Sequence, residues 1–305
     1  MTESASLQPD PTKIGEVSAP PFAVLPNPGE LFERREARLR HLAPGHPLET
    51  FLLFAADIAK AQRDALRELP PAVAPTQEEL ARAREFAMPA IDRAQLPTDP
   101  VFFETMNRFF AAAEGAPANE EARRTLAALC ASDAAARERL ARAVLNRDES
   151  GENLAGVVFT AAALQVHMTR LAARLDAVAL VPVGDGICPV CGGPPCASMV
   201  VGWHGAHGSR FCACAMCGAL WNYVRNRCVA CGSTKGISYS AAEGSDEATK
   251  VERCAECGSY LKIFYQTLSP HVEPFADDIA SLGLDMLVLG EGMRRAGYNP
   301  FLLGY

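Results

Sequence analysis

The stretch CACAMCG, residues 212–218, places three cysteines within six positions. Counting outward separates them. Cys214 and Cys217 form one C-x-x-C pair, and three more stand at Cys188/Cys191, Cys228/Cys231 and Cys254/Cys257. Each pair is followed directly by a glycine: Gly192, Gly218, Gly232 and Gly258. In a metal knuckle the thiolates at i and i+3 point at one ion while backbone N–H groups turn toward the sulfurs. The residue after the second cysteine then often needs positive φ, which glycine adopts without steric penalty. The spacing also repeats. Adding 40 carries 188 to 228, 191 to 231, 214 to 254 and 217 to 257, which marks an internal duplication. Each copy is a knuckle, 22 intervening residues and a second knuckle, a slightly stretched form of the four-thiolate ribbon pattern. The predicted ligand sets are Cys188, Cys191, Cys214 and Cys217 in one site and Cys228, Cys231, Cys254 and Cys257 in the other. A set joining Cys214/Cys217 to Cys228/Cys231 is a further possibility, but it breaks the duplication.

The same offset identifies the spare cysteines. Cys212 maps onto Glu252 and Cys196 onto Gly236, so both fall outside the ligand sets and read as small apolar residues. Cys130 lies on an Ala/Leu-rich helical pattern and reads as core. Ten of the 11 cysteines lie between 188 and 257. The odd total, the tight pairs and a start without a basic and apolar leader all favour metal over a disulfide framework. Four sulfurs in a tetrahedron suit zinc or iron, and the form C-P-x-C-G at residues 188–192 occurs in rubredoxins and in zinc ribbons alike. A four-thiolate site has no open position, which argues against hydrolytic metal chemistry. His204 and His207 fall in a Gly-rich loop between knuckles whose ligand set is already complete. Trp221, Tyr223, Arg225 and Arg227, between the two ribbons, suit either a packing strand or a surface that grips a partner.

The 305 residues carry 29 Lys and Arg against 36 Asp and Glu, a net charge of −7. That balance argues against a phosphate-binding surface, and residues 188–265 show no basic stripe of the kind a nucleic-acid groove needs. The most apolar segment, residues 154–175, contains His167, Arg170 and Arg174 and reads as a buried bundle helix rather than a membrane span.

Residues 1–28 hold six prolines and little periodicity, predicting an extended or disordered lead-in. An α-helical domain is predicted over 29–182. Its signals are an amphipathic run from 29, a helix after Pro47, a capping box at Thr76–Glu79 and a cap with a first-turn proline at Asp99–Pro100. Two Ala-rich helices near 118–131 and 133–147, separated by a Ser132 cap, precede a long helix over 153–179. Pro182 and two glycines mark a boundary. Two ribbons follow, over 185–226 and 227–267, with β-type runs at 197–203 and 259–265. The remainder, 268–305, is read as a final helix over 277–289 and a tail. The fold class is therefore multidomain α plus small β: a helical bundle, two tandem rubredoxin-like or zinc-ribbon-like subdomains, and a C-terminal helix.

Several stretches together resemble the formate dehydrogenase accessory protein (FdhE) family. They are RLRHLAPGHPLETFLLFAADIAKAQ at 38–62, CPVCGGPP at 188–195, RFCACAMCGALWNYVRNRCVACG at 210–232, CAECGSYLKIFYQ at 254–266, and ADDIASLGLDMLVLGEGMRRAGYNPFLL at 276–303. Cys212 departs from the family pattern, where a leucine-like residue is more usual, and this places no ligand in doubt. The resemblance implies a cytoplasmic, non-enzymatic role in maturing respiratory formate dehydrogenase, a molybdenum or tungsten selenoenzyme exported after cofactor insertion. It implies the catalytic subunit as partner and iron as the metal of both mononuclear sites, with zinc the alternative. The ligand role falls on the eight knuckle cysteines, and no catalytic residue is carried over. A rubredoxin-like electron-transfer protein acting on a cofactor during assembly is the second reading, and a nucleic-acid-binding zinc ribbon is a weaker third. The sequence leaves the oligomeric state open.

Overall fold

The computed structural model describes residues 20–302 apart from 68, 117–118, 149–153, 243 and 245–246. Most of the lead-in, residues 1–19, therefore lies outside the described residues. Its last part is extended: β1 (Ala23–Val24) pairs antiparallel with β4 (Leu220–Asn222), which ties the N-terminus to the cysteine-rich half.

Among the described residues, seven α-helices form the N-terminal bundle: α1 (Pro28–Leu42), α2 (Glu49–Leu66), α3 (Gln77–Glu85), α4 (Pro100–Ala112), α5 (Glu120–Ala131), α6 (Ala134–Asn146) and α7 (Leu154–Ala172). The capping chemistry expected from the sequence sets two of the starts. Thr76 accepts from Glu79 N while the Glu79 carboxylate accepts from Thr76 N, a reciprocal capping box. Asp99 accepts from Val101 N ahead of Pro100. The expected Ser132 cap is corrected. Asp133 caps α6 by accepting from Ala136 N, and Ser132 ends α5, its hydroxyl donating to the Leu129 carbonyl. A carboxylate at the residue next to the helix is the stronger acceptor for those first N–H groups.

Helix α7 runs through the middle, with α2, α4, α5 and α6 packed round it. It is long and apolar enough to cross a membrane by composition, yet 83% of its apolar window is buried within the fold. It stops at Ala172, short of the expected 179. A separate 3-10 turn follows at Ala177–Ala179, capped by Asp176, whose side chain accepts from Val178 N and so competes with helix continuation.

Among the described residues, β1 and β4 join β2 (Ala197–Val200), β3 (Arg210–Ala213), β5 (Ile237–Ser240), β6 (Thr249–Cys254), β7 (Ser259–Tyr265) and β8 (Arg294–Arg295) in one eight-stranded sheet, in the order β1-β4-β3-β2-β7-β6-β5 with β8 beside β7. The first copy supplies β2, β3 and β4, and the second supplies β5, β6 and β7. The hairpins that carry the second knuckle of each copy in their turn keep the duplication's register. Ala213 faces Leu220, and 40 residues on Arg253 faces Tyr260. The preceding hairpins differ by one residue: Ala197 faces Ala213 but Ser238 faces Arg253. The copies join through a parallel pairing of β2 with β7, Ser198 opposite Ile263.

The expected final helix begins earlier and is broken. Pro274 opens α8 (Pro274–Ala280), capped by Glu273 accepting from Ala276 N. Ser281 then interrupts the chain before α9 (Leu282–Gly290), its hydroxyl donating to the Asp277 carbonyl. The expected tail is part of the core. β8 (Arg294–Arg295) runs parallel to β7, and Tyr298, Phe301 and Leu302 are buried. Behind it lies a closed set of charges, with Lys262 and Arg295 each bridging both Asp278 and Asp285.

Candidate metal centres

The eight knuckle cysteines gather into two groups, Cys188/Cys191/Cys214/Cys217 and Cys228/Cys231/Cys254/Cys257, with the sulfurs of each group within 4.8 Å of one another. The mixed set that would break the duplication does not form. The backbone of each knuckle closes alike. Gly192 N donates to Cys188 O at 2.9 Å and Gly232 N to Cys228 O at 2.9 Å, while Gly218 N and Gly258 N reach Cys214 O and Cys254 O at 3.2 and 2.9 Å. The four glycines have φ between 67 and 73°, the left-handed region that a Cβ disfavours.

The sulfur distances test the fit to an ion. Four metal–sulfur bonds of about 2.3 Å in a tetrahedron set the sulfurs roughly 3.8 Å apart. Across the first centre Cys188 Sγ lies 3.6 Å from Cys217 Sγ and Cys191 Sγ 3.4 Å from Cys214 Sγ. The equivalent pairs of the second, Cys228–Cys257 and Cys231–Cys254, stand at 3.7 and 3.8 Å. Backbone donors face the sulfurs as well: Cys217 N points at Cys214 Sγ at 3.5 Å and Ala230 N at Cys228 Sγ at 3.4 Å. Such N–H groups favour the thiolate form that a metal needs. Both groups could hold one tetrahedral ion, and four sulfurs leave it no vacant position.

The spare cysteines separate as their burial dictates. Cys212 is fully buried on β3, where desolvation pushes its thiol up to about 12. Cys196 is buried too, its Sγ facing the Ala213 carbonyl, and desolvation raises it well above the usual thiol range. Burial of this kind disfavours the thiolate, the reactive form of the side chain. The expectation for Cys130 is corrected: it is exposed on α5, the core face of that helix being carried by Leu126 and Leu129. His204 and His207 are exposed and outside both groups. Of the residues between the ribbons, Trp221 is buried on β4 and Tyr223 donates to Cys228 O at 3.1 Å, so this segment packs the copies together.

The sequence reading overlooked Arg210 and Glu252. Arg210 Nη1 lies 2.8 Å from Glu252 Oε2, and both side chains are at most 3% exposed. The same guanidinium donates to the carbonyls of Val224, Arg225 and Arg227, the link that leads into Cys228. One buried cation thus fixes the path between the two centres. The signal was available, since Glu252 is the duplicate of Cys212 and a carboxylate there demands a buried partner.

Beside the first centre, a cavity of about 1030 Å³ opens between α3, the segment 88–99 and Cys191–Gly192. His167 of α7 reaches its wall, 3.2 Å from the Asp99 carboxylate, and desolvation lowers it to about 4.

Three family models match in succession: FdhE N-terminal over residues 20–185, FdhE central domain over 187–225 and FdhE C-terminal domain over 226–302. A protein of Rhizobium meliloti (strain 1021) named "Protein FdhE homolog" is 44% identical over 301 residues, covering 98% of each chain. Its namesake from Yersinia pestis (strain Pestoides F) is 36% identical over 288 residues, covering 92% of this chain and 91% of its own. The crystal structure of the FdhE protein from Pseudomonas aeruginosa superposes with a TM-score of 0.83 at 33% identity, over 93% of this chain and 99% of that one.

Proposed function

The chain belongs to the FdhE family, and on that premise we propose that it is an accessory factor that binds the catalytic subunit of formate dehydrogenase during maturation in the cytoplasm. The observation that carries the reading is the pair of four-cysteine centres joined to a helical bundle. Four thiolates saturate a tetrahedral ion, so the centres suit shaping and sensing rather than substrate activation. Iron in both would make the ribbons responsive to redox conditions, and zinc would make them structural. The helices supply the body and the ribbons, with β1 and the C-terminal elements bracing them, supply the partner surface.

The test is capture of the immature catalytic subunit by the full chain and by Cys188→Ser and Cys228→Ser. Loss of capture with far-ultraviolet helicity nearly intact is the expected result. Undiminished capture by both variants would remove the ribbons from the binding site. The exposed Cys231 gives one observation in favour of a second reading, electron transfer to a cofactor during assembly. Reversible bleaching of an iron–thiolate band coupled to catalytic turnover of a donor and acceptor would select it.

A further inference from the structure

The two centres have similar sulfur geometry but unequal surroundings: all four cysteines of the first are buried, whereas in the second only Cys228 and Cys254 are. The four cysteines of the first are 0–3% exposed, and the helical domain covers both of its knuckles. Over the first knuckle, Ala90 N donates to Pro189 O and Ile91 N to Val190 O, at 3.1 and 2.8 Å. Pro89 sits so close that a Cβ on Gly192 would stand 2.8 Å from its Cγ. The second knuckle is held by Gln165 of α7, whose Nε2 donates to Ala215 O at 2.8 Å, and Gln165 is in turn fixed by Gln62 of α2. Leu31 of α1 closes over Gly218, where a Cβ would lie 2.5 Å from its Cδ2.

None of these helices reaches the second centre's counterpart positions. Cys231 is exposed and Cys257 half-buried, and nothing stands within 4 Å of a Cβ built on Gly258. Its neighbours are the linker, whose Gly186 packs against Val229 O and whose Asp185 carboxylate faces Gly232, together with Arg227 and Arg294, whose side chain donates to Cys257 O. The linker and a two-residue strand hold these groups, and no helix of the bundle backs them.

We propose that the second centre is an exchangeable site for a thiophilic divalent ion and the first a sealed structural one. Ligand exchange at a saturated tetrahedral ion begins with one thiolate leaving the metal and an incoming ligand taking its place. At the second centre Cys231 can swing into solvent and a chelator can approach from its open side. At the first, the same step requires the 89–91 segment or α7 to separate from the knuckles, a sub-global opening of the bundle. The inference rests on the coverage of the two centres alone and stands whether or not the chain binds formate dehydrogenase.

The test uses the full chain loaded with zinc under anaerobic conditions. Metal release to excess 4-(2-pyridylazo)resorcinol is followed at neutral pH, with parallel N-ethylmaleimide labelling mapped by peptide. Release in two phases is expected, about one equivalent each, with the fast phase at least about tenfold faster because it needs no opening of the bundle. The early labels should fall on Cys231 and Cys257, with the exposed Cys130 labelled throughout. Cys231→Ser should retain one slowly released equivalent and lose the fast phase. Release of both equivalents in one phase, labelling of Cys188 or Cys217 as early as Cys231, or a surviving fast phase in Cys231→Ser would overturn the assignment.

Discussion

Replacing Arg210 by methionine removes the cation that joins the two ribbons while keeping most of its apolar stem. Three consequences can be worked from the structure. Glu252, with its side chain 3% exposed, loses the cation that bridges it and keeps the Tyr239 hydroxyl as a donor. The carbonyls of Val224, Arg225 and Arg227 each lose a donor. The space that the guanidinium leaves is shut off from bulk solvent, since Arg210 is 1% exposed. Removing one partner of a buried pair costs roughly 3–5 kcal/mol, against about 0–1 for an exposed one. Urea unfolding of the metal-loaded protein at fixed free metal should therefore show Arg210→Met destabilised by about 3 kcal/mol or more. The double variant Arg210→Met/Glu252→Gln should be more stable than Arg210→Met, because the orphaned charge is gone. The pH dependence has a definite sign. Desolvation already raises Glu252 above the usual carboxylate range against the pull of Arg210, and without Arg210 it rises further. The folded variant then holds a proton that the unfolded chain has released, so its deficit grows as pH rises and shrinks as pH falls. A loss below about 1 kcal/mol, or a double variant equal to the sum of the singles, would refute the idea that a single buried pair sets the path between the centres.

Two further outcomes follow from the same geometry. Gly218→Ala and Gly258→Ala impose the same left-handed strain, about 1–2 kcal/mol, but only the first drives a Cβ into Leu31. Thermal unfolding should show Gly218→Ala clearly the less stable, and equal melting temperatures would mean that α1 does not press on that knuckle. His167 is held at about 4 by burial against an ordinary value of 6.5. The unfolded chain takes up its proton first on acidification, so between pH 7 and 5 the wild type should lose about 2 kcal/mol that His167→Leu does not. Parallel stability curves for the two proteins over that range would remove His167 from the acid response.

Local chemistry carried far in this sequence. The knuckles are legible because sulfur, spacing and the following glycine are all local, and the offset of 40 residues then chose between ligand sets. The caps at Thr76 and Asp99 are legible for the same reason, since a side chain and the N–H two or three residues on decide them. What stayed hidden depends on partners distant in the chain. The parallel pairing of β2 with β7 has no turn signal to announce it. The unequal cover of the centres depends on Pro89, Gln165 and Leu31, none of which carries a mark in its own neighbourhood. Cys130 faces solvent because an Ala-rich helix can bury more than one of its sides, and two leucines settle which.

The parallel joint between β2 and β7 has a consequence for how the chain is made. Synthesis delivers the bundle, the first four cysteines and β2–β4 long before Ser259–Tyr265. Throughout that interval β2 offers a row of unpaired backbone groups along an apolar strand, a template for pairing with other chains. The emerging protein is thus most adhesive when its first metal centre can already close, and it becomes self-contained only when β7 arrives and α8 docks against α1. A ribosome-stalled or truncated chain ending before residue 259 should accordingly partition into the insoluble fraction, whereas an extension past Leu302 leaves that edge sealed.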